Sequence, residues 1–139
     1  MIGKIHVQGF KSIHDEKVPL GQLNVLIGAN GSGKSAVLEA IGVIGAAAEG
    51  RVDDTSLMRR GVRPGVPDLY RTAFADVRIP RLIRLLVESD DDPAAQYRVA
   101  LDNPLGQPAL PWRLANESVA VGPWCYVSRG PAGATFWSQ

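Results

Sequence analysis

The segment 28–35 constrains the fold of this chain more than any other feature. It reads Gly-Ala-Asn-Gly-Ser-Gly-Lys-Ser, which matches the pattern G-x-x-x-x-G-K-[ST]. The almost wholly apolar run 23–27 precedes it, and the segment 34–49, which has helical periodicity, follows it. We therefore predict a strand buried on both faces, a glycine-rich turn and a helix, in that order. The predicted strand before the pattern and the predicted helix after it distinguish this match from a glycine turn that happens to be followed by a lysine.

The pattern is that of the P-loop, or Walker A loop, and each of its residue types has a chemical reason. Glycines let the backbone wrap around a phosphate group with its N–H groups directed inward. A helix that begins at the loop turns the positive end of its dipole toward the anion. Lys34 can reach the β- and γ-phosphates and is the predicted catalytic residue, while the Ser35 hydroxyl is the predicted ligand of Mg²⁺. The predicted nucleotide-binding residues are Gly28, Ala29, Asn30, Gly31, Ser32, Gly33, Lys34 and Ser35.

The helix predicted at 34–49 carries apolar residues at spacings of three and four. Those that fall on one helical face are Val37, Ile41, Ile44 and Ala48. Gly50 stands where a C-terminal cap belongs. Gly42 and Gly45 each cost about 1 kcal/mol in a helix interior, and close packing on a sheet is the compensation that we expect. A second, short helix is predicted to be capped within 54–56 and to end at Gly61.

Alternating polar and apolar residues predict strands on both sides of this region. Residues 2–8 predict a strand with one exposed face, and residues 18–21 predict a short edge strand or a turn. Beyond residue 70, several strand-like runs are separated by turn signals, which indicates hairpins or an antiparallel meander. These runs are 72–79, 82–88, 96–101, 112–121, 126–128 and 135–137.

Composition and charge exclude several classes of protein. The chain has 139 residues, of which 45% are hydrophobic, so a packed core is expected. A formal net charge of +1 excludes a polycationic chain that coats nucleic acid, and the single cysteine, Cys125, excludes an intrachain disulfide. The longest apolar run, 40–48, is about half as long as a membrane span requires, and the N-terminus lacks the apolar core of a signal peptide. We therefore expect a cytoplasmic protein with no membrane partner.

The first part of the chain resembles the ABC-type ATPase heads of the SMC, RecF and OLD families of DNA-associated proteins, and bacterial AAA family ATPases that share this opening. In residues 2–47, a strand leads into Phe10-Lys11-Ser12, residues 20–27 lead directly into the P-loop, and Ala36-Val37-Leu38-Glu39-Ala40-Ile41 is similar to the "N-x-L-E/D-A-I" of those heads. The resemblance implies an α/β fold: a P-loop NTPase core, as in the N-terminal lobe of an ABC-type ATPase, with an antiparallel β-subdomain. The corresponding units are a nucleotide-binding lobe at 1–70 and a β-lobe at 71–139.

The same resemblance implies a function. ATP and Mg²⁺ would be the cofactors, and ATP would drive dimerisation for work related to DNA or to phage defence. A homodimer would form, or a partner chain would supply the signature motif and the catalytic glutamate. Such heads place an arginine loop where Arg59 and Arg60 stand here, and Lys11 follows the first strand near the expected adenine or phosphates. Solvated surface side chains are the favoured alternative for all three residues.

The chain departs from the family pattern, since it has no convincing Walker B or signature motif. The segment 85–90 superficially resembles Walker B, but it lacks an Asp-Glu pair, and we interpret it as a strand that ends in a turn. The ATPase head is therefore incomplete, and we expect hydrolysis only if a missing C-terminal half or a partner completes it. Exposed apolar edges, and hence self-association, are expected. Two alternatives stay open: a truncated nucleotide-binding or scaffold module without hydrolysis, and a small P-loop kinase.

Overall fold

The structure is a computed structural model that describes residues 1–72, 80–102, 112–130 and 133–135. Its strands are β1 (Ile2–Phe10), β2 (Ile13–Pro19), β3 (Leu82–Ser89), β4 (Gln96–Asp102), β5 (Arg113–Val121), β6 (Trp124–Gly130) and β7 (Gly133–Thr135). Its helices are α1 (Lys34–Ala48), α2 (Asp54–Met58) and a 3₁₀ turn at Pro67–Tyr70. The strands form one sheet in the order β2-β1-β3-β4-β5-β6-β7, and every neighbouring pair is antiparallel.

The strands predicted from alternation are present. Ile5 and Val7 of β1 are buried, whereas His6 and Gln8 lie on the opposite face. β3, β4, β5 and β6 cover the runs predicted beyond residue 80, and the segment 85–90 is the end of antiparallel β3 followed by a turn. Most of the run 72–79, and the run 135–137 after its first residue, lie outside the described residues. The predicted boundary at residue 70 stays a prediction, and β1 and β2 share their sheet with the later strands.

The edge strand β2 is longer and begins earlier than predicted. It runs antiparallel to β1 from Ile13, whereas the sequence predicted a short element at 18–21. Its exposed polar residues do not alternate with apolar ones, so the pattern gave no strand signal. Pro19 at its end is acceptable because an edge strand leaves one row of backbone groups unpaired.

The strand predicted at 23–27 is wrong: this segment has no regular secondary structure. Leu23 and Ile27, which we expected to be buried, are 84% and 89% exposed. A strand buried on both faces needs hydrogen-bonded neighbours on its edges and a layer on each face. Within the described ranges the sheet is antiparallel throughout and no strand pairs with this segment. The parallel α/β core that the prediction assumed is therefore not present in the described part of the chain.

Helix α1 begins at the predicted residue, ends one residue earlier than predicted and has the predicted cap. It ends at Ala48, and Gly50 follows in the left-handed region at φ 83°. The N–H of Gly50 donates to the carbonyl of Ala47 at 2.8 Å, and the N–H of Arg51 donates to the carbonyl of Ala46 at 3.3 Å. This pair of hydrogen bonds is a Schellman motif.

The face that α1 buries differs from the one predicted. Ile44 is buried and Val37 packs against the core, but Ile41 is 38% exposed and Ala48 is exposed, so only part of the predicted face meets the core. The apolar residues that α1 buries are Ala36, Ala40, Val43, Ile44, Ala46 and Ala47. Small side chains thus bring the helix close to its neighbours, while bulky Leu38 and Ile41 point away from the core.

The two helix glycines pack against a loop, where we expected a sheet. A Cβ atom at Gly42 would lie 2.7 Å from Cγ2 of Val62 and 2.9 Å from the carbonyl oxygen of Arg60. At Gly45 the nearest atom would be Nε of Arg60, at 3.2 Å. The close approach therefore joins α1 to the segment that follows α2. This segment carries Arg63, which reaches the site described below.

The capped helix α2 and a cluster of rings complete the core beside the first hairpin. Asp53, one residue before the predicted start, caps α2 by accepting a hydrogen bond from the N–H of Ser56 at 2.8 Å. The N–H of Asp53 donates to Oγ of Ser56 at 3.0 Å, which completes a capping box. The ring of Tyr70 packs between Phe10, at 6.2 Å, and Trp112, at 5.5 Å and nearly perpendicular. In the described ranges, none of the helices has the length and apolar character needed to cross a bilayer.

Candidate P-loop site

The segment 28–33 forms an irregular turn that leads into α1. Gly31 and Gly33 have φ angles of 83° and 92°, a region that disfavours any side chain. The N–H of Ser32 donates to the carbonyl of Ala29 at 3.2 Å, which closes the turn. Two left-handed glycines in three residues explain why glycine is needed at both positions.

The side chain of Lys34 folds back over this turn. Its amine donates to the carbonyl oxygens of Gly28 and Ala29, both at 2.7 Å, and lies 3.4 Å from Oγ of Ser32. These acceptors are neutral, and Lys34 forms no ion pair with any of the described residues, so its charge is not neutralised. The amine is therefore available to an anion that enters the loop.

The N-terminus of α1 has no anionic or side-chain cap of its own. Gly33 occupies the N-cap position and provides no side-chain hydrogen bond, and the first turn contains no acidic residue. The first N–H groups of a helix lack intrahelical partners and carry partial positive charge. An anion is thus the group that this end of α1 is built to accept.

A cavity of about 390 Å³ opens at this helix end. Its walls come from the loop, from the first turn of α1, from the β1–β2 turn and from the segment after α2. The lining residues are Lys11, Ser12, Asn30, Gly31, Ser32, Gly33, Lys34, Ser35, Ala36 and Arg63. Six of the eight predicted binding residues therefore share one cavity; Gly28 and Ala29 contribute the carbonyl groups that hold Lys34.

Lys11 stands at this cavity in an unusual backbone conformation. It is the first residue of the two-residue turn between β1 and β2, and its φ is 50°. Tight hairpin turns require positive φ at that position. Its amine lies 4.9 Å from the ring centroid of Tyr70 and 5.6 Å from that of Phe10, and it forms an ion pair with Glu39. Lys11 lines the same cavity as Lys34, and its expected place near the adenine or the phosphates stays a prediction.

Glu39 joins two cations at the edge of the cavity. Glu39 is 4% exposed; its Oε2 pairs with Lys11, and its Oε1 accepts from Nε of Arg63 at 2.6 Å. Burial alone would raise the pKa of Glu39, but the hydrogen bonds from Lys11 and Arg63 outweigh it and leave the pKa below its ordinary value. The carboxylate is therefore ionised at neutral pH, and the cluster carries one net positive charge.

Arg59 and Arg60 do not reach this cavity. They line a separate cavity of about 790 Å³ around α2, where Arg60 pairs with Glu49 and its Nη1 donates to the carbonyl of Ser56 at 2.9 Å. Arg63, three residues further along, is the arginine that lines the P-loop cavity. The sequence analysis missed both Arg63 and Glu39. One signal was available for Glu39: it follows Ser35 by four residues, so both lie on one face of α1.

The described residues contain no cluster of three or more histidine, cysteine, aspartate or glutamate side chains arranged to hold a metal ion. Ser35 is exposed at the first turn of α1 and lines the cavity. Magnesium is commonly held by one or two protein groups together with substrate phosphates and water. A single hydroxyl at this position fits that mode of binding.

Comparison with known proteins concerns the same part of the chain. A family model described as an AAA ATPase domain matches residues 1–56. An uncharacterized protein from Methanocaldococcus jannaschii is 41% identical over 51 residues, which are 36% of this chain and 23% of that protein. The chain thus spans about a quarter of that relative's length, and no solved structure gives a significant match. The family match supports an AAA-type ATPase family, for which a P-loop fold, nucleotide binding and the use of ATP are the expected properties.

Proposed function

We propose that residues 28–35 bind MgATP as a Walker A loop. One observation carries the proposal: the P-loop sequence stands at a helix N-terminus that has no cap or acidic residue of its own, with a lysine amine folded over the loop. On binding, the amine of Lys34 would exchange the two loop carbonyls for phosphate oxygens, a charge-assisted and therefore stronger interaction. The match of residues 1–56 to an AAA ATPase domain supports the same choice of ligand.

The residues present fit such a ligand. A Cβ atom at Gly31 would meet nothing within 4 Å, so the loop is open at that point, and the N–H groups of the first turn of α1 have no side-chain partner. In this proposal Gly31 and Gly33 supply backbone N–H groups, and Ser32 does so once its N–H leaves the carbonyl of Ala29. Lys34 neutralises phosphate charge, and the Ser35 hydroxyl is the protein's ligand to Mg²⁺. The ion would neutralise phosphate charge when bound.

We also propose that ATP binding drives self-association in an incomplete head of the SMC, RecF or OLD type, with DNA-related or phage-defence work as its outcome. Supporting this are the exposed apolar segment 23–27, which leads directly into the P-loop, and the sequence resemblance that extends to Ala47. A partner chain would contribute the signature motif and the catalytic glutamate. Without them, the chain would bind nucleotide and not hydrolyse it.

Calorimetric titration of the chain with MgATP tests the nucleotide site. We expect binding by the wild type, and a loss of more than tenfold in affinity for Lys34→Ala, because a charge-assisted contact to the phosphates disappears. Lys17→Ala is the matched control, since Lys17 is an exposed lysine on β2 that lines none of the cavities described above. Absence of binding by the wild type, or equal affinity of Lys34→Ala and wild type, would contradict the proposal.

Sedimentation velocity tests the self-association. We expect MgATP to shift the wild type toward a dimer, MgADP to leave it unchanged, and Lys34→Ala to respond to neither. Adding double-stranded DNA to the ATP-bound species then tests whether DNA is a partner. A dimer that forms equally with and without nucleotide would contradict ATP-driven association.

A further inference from the structure

The side chain of Arg63 is held in place although it is mostly exposed. It is 72% accessible to solvent, and long exposed side chains usually keep their rotamer freedom. Here Nε donates to Oε1 of Glu39 at 2.6 Å, while the terminal Nη atoms donate no hydrogen bond to the described residues. Two guanidinium nitrogens with free donors are thus presented at the wall of the P-loop cavity.

The carboxylate that holds Arg63 is itself anchored. Glu39 projects from α1 and is almost completely buried, and its second oxygen is taken by Lys11. The amine of Lys11 lies over the ring of Tyr70 at 4.9 Å, so it is fixed by the core as well as by charge. The two cations fix the orientation of the buried Glu39 carboxylate. The carboxylate in turn fixes the orientation of the Arg63 guanidinium, which is the more exposed of the two cations.

The position of the cluster formed by Lys11, Glu39 and Arg63 indicates which part of a bound nucleotide it would contact. Glu39 stands one helical turn beyond Ser35, and Ser35 and Ala36 line the same cavity as Arg63. In the proposed site the hydroxyl of Ser35 would hold Mg²⁺, which would neutralise charge on the terminal phosphates. Arg63 lines the same cavity as Ser35, so a terminal phosphate held near Ser35 would share that cavity with the Arg63 guanidinium.

We propose that Glu39 is a positioning residue that holds the guanidinium of Arg63 so that its terminal nitrogens bind the terminal phosphate of ATP. This inference rests on the proposed function and adds to it a selectivity for ATP over ADP. Lys11 fixes Glu39, and Arg63 makes the contact. An arginine fork is suited to this because its donors match two phosphate oxygens at once.

Titration of the full 139-residue chain with MgATP and with MgADP tests the inference. We expect Arg63→Gln to weaken MgATP binding about tenfold, the size of one charge-assisted contact, and to change MgADP binding less than twofold. Glu39→Gln is expected to weaken MgATP binding to a similar extent. In the double variant the two losses should not add, because Glu39 acts through Arg63.

The sign of the Glu39→Gln effect separates positioning from simple electrostatics. Removal of a negative charge beside the cavity, taken alone, would tighten the binding of an anion. Tighter or unchanged MgATP binding by Glu39→Gln would therefore overturn the inference, as would additive losses in the double variant or an equal loss for MgADP. Arg59→Gln and Glu88→Gln are the matched controls, since these residues lie away from the cavity, and Glu88 is likewise ion-paired, with Lys4.

Two outcomes distinguish this inference from the proposed function. If the wild type binds MgATP, Lys34→Ala does not, and Arg63→Gln binds like the wild type, the inference fails and the P-loop site stands. If the wild type binds no nucleotide, both fail. Because Glu39 is buried, thermal unfolding of Glu39→Gln must first show a folded chain; Arg63→Gln, at an exposed side chain, carries the test if it does not.

Discussion

Replacement of Gly42 by alanine tests how closely α1 is packed against the segment that follows α2. Alanine is favoured over glycine in a helix interior by about 1 kcal/mol, so helix propensity alone would stabilise the variant. The added Cβ, however, would lie 2.7 Å from Val62 and 2.9 Å from the carbonyl oxygen of Arg60. Both distances are shorter than a Cβ contact allows, and Val62 is 1% exposed, so neither neighbour can turn outward.

Overpacking of this kind costs about 1–3 kcal/mol, with about 2 kcal/mol as the central value. Subtraction of the gain in helix propensity leaves Gly42→Ala less stable than the wild type by about 1 kcal/mol. Gly45→Ala is the matched control in the same helix, because its Cβ would meet only the flexible Arg60 side chain, at 3.2 and 3.4 Å. That variant should keep most of the gain in propensity and be more stable by about 0.5–1 kcal/mol.

Urea unfolding followed by circular dichroism measures both variants against the wild type. The expected difference between them is about 2 kcal/mol, with unchanged dependence on denaturant. If Gly42→Ala is as stable as Gly45→Ala, the segment 60–62 is not packed against the helix as the distances indicate. The packing argument would then be refuted, because both substitutions have the same helix propensity.

Three further outcomes are expected. Asp53→Ala should lower the free energy of unfolding by about 1 kcal/mol through loss of the capping box, whereas Thr55→Ala, on the same short helix, should change it by less than half as much. Because the pKa of Glu39 is lowered in the folded chain, its contribution to stability is present above its ordinary pKa of 4.5 and is lost as pH falls through the folded pKa. The difference in free energy of unfolding between wild type and Glu39→Gln should therefore shrink in acid. A difference that grows in acid would contradict the ion pairs. Ile27→Asp should reduce concentration-dependent self-association in sedimentation, and Val66→Asp, at another exposed apolar residue, should not; equal effects would show that 23–27 is no special contact surface.

The parts of the fold that depend on local pattern could be predicted from the sequence. The alternation around Ile5 and Val7 predicts β1, and Gly50 marks the end of α1, because a left-handed residue is required there. The buried face of α1 could not be predicted in this way. Alanines bury less area than Ile41 does, so a pattern weighted by hydrophobicity chooses the wrong face when close approach of the helix decides the packing.

The loop of the candidate site could be predicted from the sequence, whereas the residues that surround the loop could not. The eight motif residues are contiguous, and their spacing predicts a loop followed by a helix. Arg63 reaches the same cavity only because Gly42 and Val62 pack the intervening segment against α1, which is a tertiary contact. Glu39 lies in an otherwise apolar helix face, and a buried carboxylate there needs cationic partners that local sequence does not reveal.

The failure of the strand prediction at 23–27 bears on how the P-loop works. On its C-terminal side the loop is fixed by α1, whereas on its N-terminal side the nearest defined contacts are the bonds between Gly21 and Asn24. A chain that covers the exposed segment 23–27 would also fix the position of Gly28, the first residue of the loop. Nucleotide and covering chain would then each favour the same arrangement of the loop, and linkage requires that each strengthen the binding of the other by the same factor. This coupling would favour ATP-driven association in addition to any contact that another chain makes with the nucleotide.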